Sequence, residues 1–197
     1  MKKTLIAPLA ALVSLAALSA PLGAQAETAT YRIEPTHTFV MWETKHFGVS
    51  TSRGRWDKTD GEITVDRAAK TGSLDITVDL NSINTGVAPF NTHLKSADFF
   101  DTANHPNARF TGKEFKFDGD KVSEVTGTLT MRGKSNPVTL KATGFGCFQH
   151  PRLKREVCGG DFETTIKRSL WDISYGVANR AIADDIRVVI QVEAIRQ

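Results

Sequence analysis

The chain has 197 residues, with 25 lysines and arginines against 22 aspartates and glutamates and a formal net charge of +3. Two of the positive charges, Lys2 and Lys3, lie in the first 26 residues, so the other 171 residues (197 − 26) are close to neutral. A near-neutral chain without a basic cluster argues against nucleic acid as the main partner, and its length suits one domain with a hydrophobic core.

Residues 1–26 have the pattern of a secretory signal peptide. A basic start is followed by an apolar run over 5–18 and by Ala24-Gln25-Ala26, which fits an A-x-A cleavage site. We therefore predict a signal peptide over 1–26, a single domain over 27–197, and a periplasmic location with secretion as the alternative. Beyond the signal there is no run of ~18 apolar residues, so we do not expect the mature chain to span a membrane.

Period-two alternation of apolar and polar residues dominates the rest of the chain. The alternation is strict over 73–80, recurs over 138–143, and returns over 186–194, where Val189 breaks it. A strand with one dry and one wet face has this pattern. Less regular strand candidates, in chain order, cover 38–45, 49–56, 61–65, 109–117, 122–131 and 162–167.

One interval breaks this rhythm. Within residues 89–100, Phe90, Leu94 and Ala97 fall at i, i+4 and i+7, and a proline stands where a helix would begin. We predict a short helix here, with residues 89–95 as a cover over one end of the fold. About eight strands, joined mostly by short turns, favour an all-β antiparallel barrel or sandwich over βαβ units.

Cys147 and Cys158 are the two cysteines of the chain. In the oxidising space that export implies, they are predicted to form a disulfide across an exposed hairpin tip, because residues 149–155 between them are polar and basic. Their spacing is not the C-x-x-C of a redox pair, and a metal site would need further ligands close by. Both remain weaker alternatives.

A barrel of about eight strands has room inside for packed side chains or for one small ligand. The aromatic residues therefore have two interpretations: they form an ordinary core, or they line a tunnel for a hydrocarbon chain, in which each buried methylene contributes about 0.8 kcal/mol. The aromatic candidates for a tunnel lining are Phe39, Trp42, Phe47, Phe90, Phe99 and Phe110.

Three stretches, in order and spanning nearly the whole mature chain, together resemble the YceI-like family. The first, 45–56, contains K-H-F-G-V-S and G-R-W; the second, 93–110, contains H-L-K-S-A-D-F-F-D with a later proline and phenylalanine. The third, 125–140, contains V-T-G-T-L-T-M-R-G and P-V-T-L. The chain departs from the family in its cysteine loop and at Leu170-Trp171-Asp172, where a phenylalanine followed by glycine is expected.

The resemblance implies an extended, lipocalin-like antiparallel β-barrel with a helical cover, enclosing an apolar tunnel for a long isoprenoid tail. Family members are exported polyisoprenoid-binding or lipid-binding proteins. His46, His93 and Leu94 lie in the matching stretches and join the aromatic residues as predicted ligand contacts. Both histidines are also predicted to order loops at one barrel end.

Three cations beside the matching stretches, Arg53, Arg55 and Lys95, are candidates for contact with an anionic headgroup at the tunnel mouth. The alternative is that they are solvated rim residues. The five histidines form no H-x-H or H-x-x-x-H pair, so we predict no metal site. The chain also has no G-x-S-x-G nucleophile elbow and no glycine-rich phosphate loop, so we predict neither catalysis nor a bound cofactor.

We therefore predict a non-enzymatic periplasmic carrier of a long-chain isoprenoid or quinone-like lipid. Exposed edge strands allow a homodimer, and Lys154 and Arg155 on the cysteine loop would allow transient contact with a membrane surface. The alternatives are a hydrolase or isomerase acting on a small apolar substrate in the same cavity, and a stress-related structural protein with a solidly packed barrel. A continuous hollow inside the barrel would exclude the last of these.

Overall fold

The computed structural model describes residues 28–197, and the predicted signal peptide over 1–26 lies outside the described residues. Between residues 28 and 197 the chain forms eleven strands and one α-helix, α1 (Ala88–Lys95). The strands are β1 (Ala29–Ile33), β2 (Phe39–His46), β3 (Ser50–Trp56), β4 (Thr59–Asp66), β5 (Thr71–Asp79), β6 (Ile83–Asn84), β7 (Asn107–Asp118), β8 (Lys121–Met131), β9 (Lys134–Gln149), β10 (Glu156–Lys167) and β11 (Asp185–Arg196).

Eight of these strands close into an antiparallel β-barrel. The order around the barrel is β1-β4-β5-β7-β8-β9-β10-β11, and β11 pairs back with β1. β2 continues the wall beyond β1, because β1 pairs with the last residues of β11 and β2 pairs with Arg187–Gln191. β3 pairs with β2, and the two-residue β6 pairs with the end of β3. The predicted all-β barrel with a helix is confirmed.

The barrel has two different ends. The end called here the helical end carries α1, the β2–β3 hairpin and the segment 168–184 that joins β10 to β11. The end called the turn end carries the β4–β5 and β7–β8 turns and the β9–β10 hairpin. Most connections at the turn end are tight, because antiparallel neighbours need only a short turn.

α1 is shorter than the interval 89–100 predicted for it. It ends at Lys95, since Ser96 adopts an extended conformation (ψ 173°) and its backbone N–H and hydroxyl both donate to the carbonyl of His93. The residues that follow form turns, whose backbone bonds return to Leu94 and Lys95. The predicted cover over 89–95 is thus helical, and its C-terminal continuation is not.

β9 and β10 are much longer than the sequence predicts. Residues 144–146 and 159–160 contain glycines, which are common in turns, yet they lie inside the β9–β10 ladder. At Gly160 a Cβ would lie 2.0 Å from the carbonyl oxygen of Gly144 on the neighbouring strand. Glycine therefore allows two backbones to approach closely here and does not mark a turn.

The segment 170–172, where the sequence departs from the family pattern, still forms a turn, with aspartate in place of the expected glycine. Asp172 adopts the left-handed conformation (φ 59°) that the expected glycine would take freely, and aspartate tolerates it. Trp171 is buried, and its indole N–H donates to the carbonyl of Leu129, 3.0 Å away. Trp171 thus belongs to the core, outside the lining of the central cavity.

The predicted disulfide is present: Cys147 and Cys158 are directly opposite in the β9–β10 ladder. Replacing both by serine is expected to lower the free energy of unfolding by roughly 3 kcal/mol, because the cross-link restricts the unfolded chain. Urea denaturation of the double variant and of the native protein measures the difference. Equal stabilities would show that the hairpin ladder holds without its cross-link.

The open edge of the sheet is β3, of which only the last two residues pair with β6. Arg53 and Arg55 stand on this edge, and charged side chains oppose edge-to-edge pairing. The homodimer stays a prediction. None of the helices formed by residues 28–197 has the length and apolar character needed to cross a bilayer.

Candidate ligand-binding cavity

A cavity of about 610 Å³ lies inside the barrel. Its lining extends from Tyr31 and Arg67 near the turn end to His93 and Tyr175 at the helical end. A volume of this size falls in the range of ligand pockets, roughly 300–1,000 Å³. The interior formed by the described residues is therefore hollow, which contradicts the alternative of a solidly packed barrel.

The alternation seen in the sequence builds the middle of this cavity. Inward positions of the barrel strands carry aliphatic and aromatic side chains, and their polar neighbours face outward. The central lining consists of Leu74, Ile76, Val78, Phe110, Leu129, Leu140, Ile166, Val188, Ile190 and Val192. The cavity is thus suited to an apolar ligand.

Most of the predicted ligand contacts have side chains in the cavity lining. They are Trp42, His46, Phe90, His93, Leu94, Phe99 and Phe110. Contact of these side chains with a ligand stays a prediction.

The prediction is corrected for two aromatic residues. Phe39 lies on the outer face of β2, where the guanidinium of Arg55 packs over its ring at 4.5 Å. The inward positions of this strand are Val40, Trp42 and Thr44, so the parity of the strand excludes Phe39. Phe47 is at the tip of the β2–β3 hairpin and is 62% exposed.

The three cations predicted to meet a headgroup also lie outside the cavity lining. Arg53 is on the outer face of the sheet and pairs with Glu43 at 2.9 Å, and Arg55 pairs with Asp57 at 2.6 Å. Lys95 is at the last residue of α1, beside the helical end. None of the three therefore lines the cavity, and contact of any of them with a headgroup at its mouth stays a prediction.

His93 orders the helical end as predicted. Its Nε2 lies 3.0 Å from Oδ2 of Asp98, across the turn that follows α1. Its ring also packs edge-on against Phe99 and Tyr175, with centroids 5.0 and 5.2 Å away. α1 is thereby joined to segment 168–184. His46 lies between β2 and this segment, and its backbone bridges to Ile182.

Arg168 holds segment 168–184 in place from inside. Its side chain is 4% exposed and donates to the carbonyls of Ala183, Ile173, Tyr175 and Ile182 over 2.8–3.1 Å. A planar guanidinium can satisfy several acceptors at once. Arg168 lines the cavity, but four of its five N–H donors are engaged by protein carbonyls, which leaves little hydrogen-bonding capacity for a ligand.

A second polar cluster lies near the turn end. Arg67 donates to Glu156 at 3.1 Å and to Tyr31 at 3.0 Å, and the same nitrogen lies 2.8 Å from the sulfur of Cys158. Burial, together with the hydrogen bond to Glu156, raises the pKa of Tyr31 to about 12. Burial opposes ionisation of Glu156 too, but hydrogen bonds from Tyr31 and Arg67 outweigh it and lower the pKa of this carboxyl.

Replacing Glu156 by glutamine is expected to cost about 1–2 kcal/mol at pH 7, since bonds to a charged acceptor are lost. Because folding lowers the pKa of Glu156, its stabilisation is present above the unfolded-state value of 4.5 and disappears as the pH falls through the folded-state value. Urea denaturation at several pH values should show the two proteins converging in acid. Glu114→Gln, at an exposed position, is the control; a gap that is independent of pH would contradict the prediction.

Three buried polar groups of the cavity wall have no hydrogen-bond partner within residues 28–197. They are Nε1 of Trp42, Nε1 of Trp56 and the hydroxyl of Thr59. All three side chains line the cavity: Trp42 and Trp56 lie on the paired strands β2 and β3, and Thr59 lies at the start of β4. Gly54 makes room for this arrangement, because a Cβ there would lie 2.5 Å from the Trp42 indole.

These donors are near the helical end. The Trp42 ring packs against Phe90 of α1, and the Trp56 ring packs against Phe100. Sequence reasoning named Trp42 as an apolar wall residue and did not name Trp56 or Thr59 for the cavity. What the three residues share is a buried polar group without a partner in the cavity lining. This depends on the folded barrel, so no local sequence pattern marks it.

Comparison with known proteins gives a consistent result. A model of the YceI-like domain matches residues 31–194. A UPF0312 protein of Pectobacterium atrosepticum is 32% identical over 198 residues, covering 100% of this chain and 99% of its own. Protein YceI of Escherichia coli O157:H7 is 32% identical over 200 residues, with 100% of both chains covered.

Solved structures share the fold. The YCEI protein of Campylobacter jejuni superposes with a TM-score of 0.66 at 29% identity, covering 78% of this chain and 90% of its own. A polyisoprenoid binding domain from Saccharophagus degradans, implicated in plant cell wall breakdown, has a TM-score of 0.63 at 17% identity. The match covers 85% of this chain and 98% of that domain. The second likeness concerns the fold alone. With the family model matched from the first barrel strand to the last, this chain belongs to the YceI-like family.

Proposed function

We propose that this protein is a non-enzymatic carrier that holds a long-chain isoprenoid lipid in the barrel cavity. The observation that carries the proposal is the apolar cavity of about 610 Å³, whose lining reaches both ends of the barrel. Each ligand methylene transferred into it contributes about 0.8 kcal/mol before the costs of binding. A hydrocarbon tail therefore suffices for tight binding. Membership of the family, and its polyisoprenoid-binding structural neighbour, support the same ligand class.

The polar groups of the cavity favour a neutral, oxygen-bearing headgroup such as a quinone ring. The indole N–H groups of Trp42 and Trp56 can only donate hydrogen bonds, and a buried donor without a partner is costly. A carbonyl oxygen of the ligand would satisfy them. Arg67 is paired with Glu156, and the donors of Arg168 are mostly engaged by carbonyls, so neither guanidinium can form a bidentate contact with a phosphate without giving up protein bonds.

The first test is direct. The mature protein is purified from its native compartment and denatured, and the organic extract is examined by mass spectrometry. One long-chain isoprenoid per protein molecule supports the carrier function. An extract without lipid, together with unchanged tryptophan fluorescence on addition of ubiquinone, would refute it.

The headgroup proposal has its own test. Trp42→Phe and Trp56→Phe keep an aromatic ring in the wall and remove the donor. Each variant is expected to bind ubiquinone about 5–10-fold more weakly, since a hydrogen bond contributes about 1 kcal/mol net. Affinity for squalene, a hydrocarbon without oxygen, is the control and should not change. Equal losses for both lipids would place the headgroup elsewhere.

We also propose that the protein works in the periplasm. The signal-peptide pattern of residues 1–26 and the disulfide at Cys147 and Cys158 support an oxidising compartment outside the cytoplasm. Release of the protein by osmotic shock, with Ala24→Glu and Ala26→Glu blocking its maturation, tests the location. Recovery from the culture medium would favour the secretion alternative.

A further inference from the structure

Large apolar side chains are exposed at the helical end of the barrel. Among residues 28–197, five of the seven exposed large hydrophobic residues lie there, and the other two belong to the β9–β10 hairpin at the opposite end. The five are Phe47, Val49, Val87, Leu170 and Tyr175. Scattered exposed apolar residues need no explanation, but a group at the end of a ligand cavity marks an interaction surface.

Three of these residues belong to one connected rim at the cavity. The backbone N–H of Phe47 donates to the carbonyl of Ala181 at 2.8 Å, and that of Ile182 donates to Gly176 at 3.1 Å. Tyr175, next in the chain, packs against His93 and itself lines the cavity. The rim, defined here as residues 45–49 and 175–182, therefore joins the β2–β3 hairpin to the edge of the cavity.

The tip of the β2–β3 hairpin places two apolar side chains in solvent. Phe47 has φ 49° and Gly48 has φ 69°, so a bulky aromatic residue occupies a left-handed position that L-residues avoid. Its side chain is 62% exposed, and that of Val49 is 86% exposed. Neither side chain is buried in the barrel, so neither stabilises it by burial of apolar surface. Both are available to contact an apolar partner.

The charges in and beside the rim are positive and favour an anionic partner. Lys45 and Arg180 belong to the rim, and Lys95 ends α1 beside it. In the part of the chain that the structure describes, no carboxylate pairs with any of these three cations. Apolar tips among unpaired cations match the interface of an anionic bilayer, where acyl chains lie beneath negative headgroups.

We propose that this rim docks on the surface of an anionic phospholipid bilayer and turns the cavity toward it. The inference rests on the proposed function, because a lipid carried in the cavity must leave a membrane and return to one. Docking by the rim lets the tail pass between bilayer and barrel without crossing water. The β9–β10 hairpin, where Lys154 and Arg155 suggested membrane contact, faces away from this surface.

The test is flotation of the mature protein with vesicles of phosphatidylethanolamine and phosphatidylglycerol in a 3:1 ratio. Phe47→Ser combined with Val49→Ser is expected to lower the bound fraction at least fivefold, and high salt should lower it in the native protein. The matched control, Phe148→Ser combined with Leu153→Ser, removes the exposed apolar residues of the opposite hairpin and should bind as the native protein does. Absence of native binding, equal losses in the two variants, or a loss confined to the control would overturn the proposal.

A second measurement separates docking from ligand binding. Geranylgeraniol delivered from cyclodextrin should quench tryptophan fluorescence equally in native protein and the Phe47/Val49 variant, because neither side chain lines the cavity. Transfer of the same lipid from vesicles should be slower in the variant. If native protein floats with vesicles and binds no prenyl lipid, docking stands and the carrier function fails.

Discussion

Replacing Arg168 by methionine is expected to lower the free energy of unfolding by about 3 kcal/mol, because buried carbonyls lose their donor and each unpaired acceptor costs about 1–3 kcal/mol. Four carbonyl groups depend on this one guanidinium. Some of these carbonyls will form hydrogen bonds to water as segment 168–184 relaxes. The loss in free energy of unfolding is therefore smaller than the sum of the costs of four unpaired carbonyls. In thermal unfolding the loss corresponds to a decrease in Tm of roughly 6–12 °C for a chain of this size.

Two further variants make this result specific. Arg168→Lys keeps the charge but has a compact ammonium in place of the planar fork, so it should recover less than half of the loss. Lys167→Met removes the neighbouring cation, which pairs with Asp185 at 2.8 Å on the exposed surface, and should cost under about 1 kcal/mol. Equal effects of the substitutions at 167 and 168 would show that charge alone, and not the carbonyl network, explains the role of Arg168.

Replacing Val188 by tryptophan is expected to weaken lipid binding about 50-fold while the barrel stays folded. Val188 points into the cavity from the middle of β11, opposite Trp42 in the ladder. A larger side chain there would occupy the room of roughly three ligand methylenes, each contributing about 0.8 kcal/mol, and a factor of ten corresponds to 1.4 kcal/mol.

The neighbouring residue provides the matched control. Val189 is the outward-facing residue that breaks the alternation of β11, and it lies outside the cavity lining. Val189→Trp makes the same chemical change on the opposite face and should leave affinity within about twofold. Fluorescence titration with a prenyl lipid, with circular dichroism to verify folding, compares the two variants. Similar losses would show that the lipid lies outside the barrel.

The strands were predictable where residue alternation was regular. Over 73–80 and 186–194 every second side chain is apolar, and those side chains are the ones that line the cavity. The same parity explains the failure at Phe39: an aromatic residue was assigned inward by its type, although its strand position places it outside. Glycines mark the other difference: Gly159 and Gly160 have the composition of a turn, but they allow a close approach of two strands.

The polar part of the site was not predictable from local patterns. The partners of Arg168 come from one segment, but their convergence on a buried guanidinium depends on a loop shape that no periodicity describes. Trp42, Trp56 and Thr59 come from three different strands, and only the folded barrel brings their side chains to the lining of one cavity. The family resemblance indicated the ligand class. The unpaired donors in the cavity wall are visible only in the folded structure.

The disulfide between Cys147 and Cys158 bears on the order of export and folding proposed for this protein. Thiols stay reduced in the cytoplasm, so under the proposed export the bond would form only after the chain has left that compartment. An exported chain that crosses a membrane unfolded benefits from being less stable before it crosses. Under the same proposal, the β9–β10 hairpin would gain the stability of its cross-link only after export, when the barrel no longer has to remain unfolded.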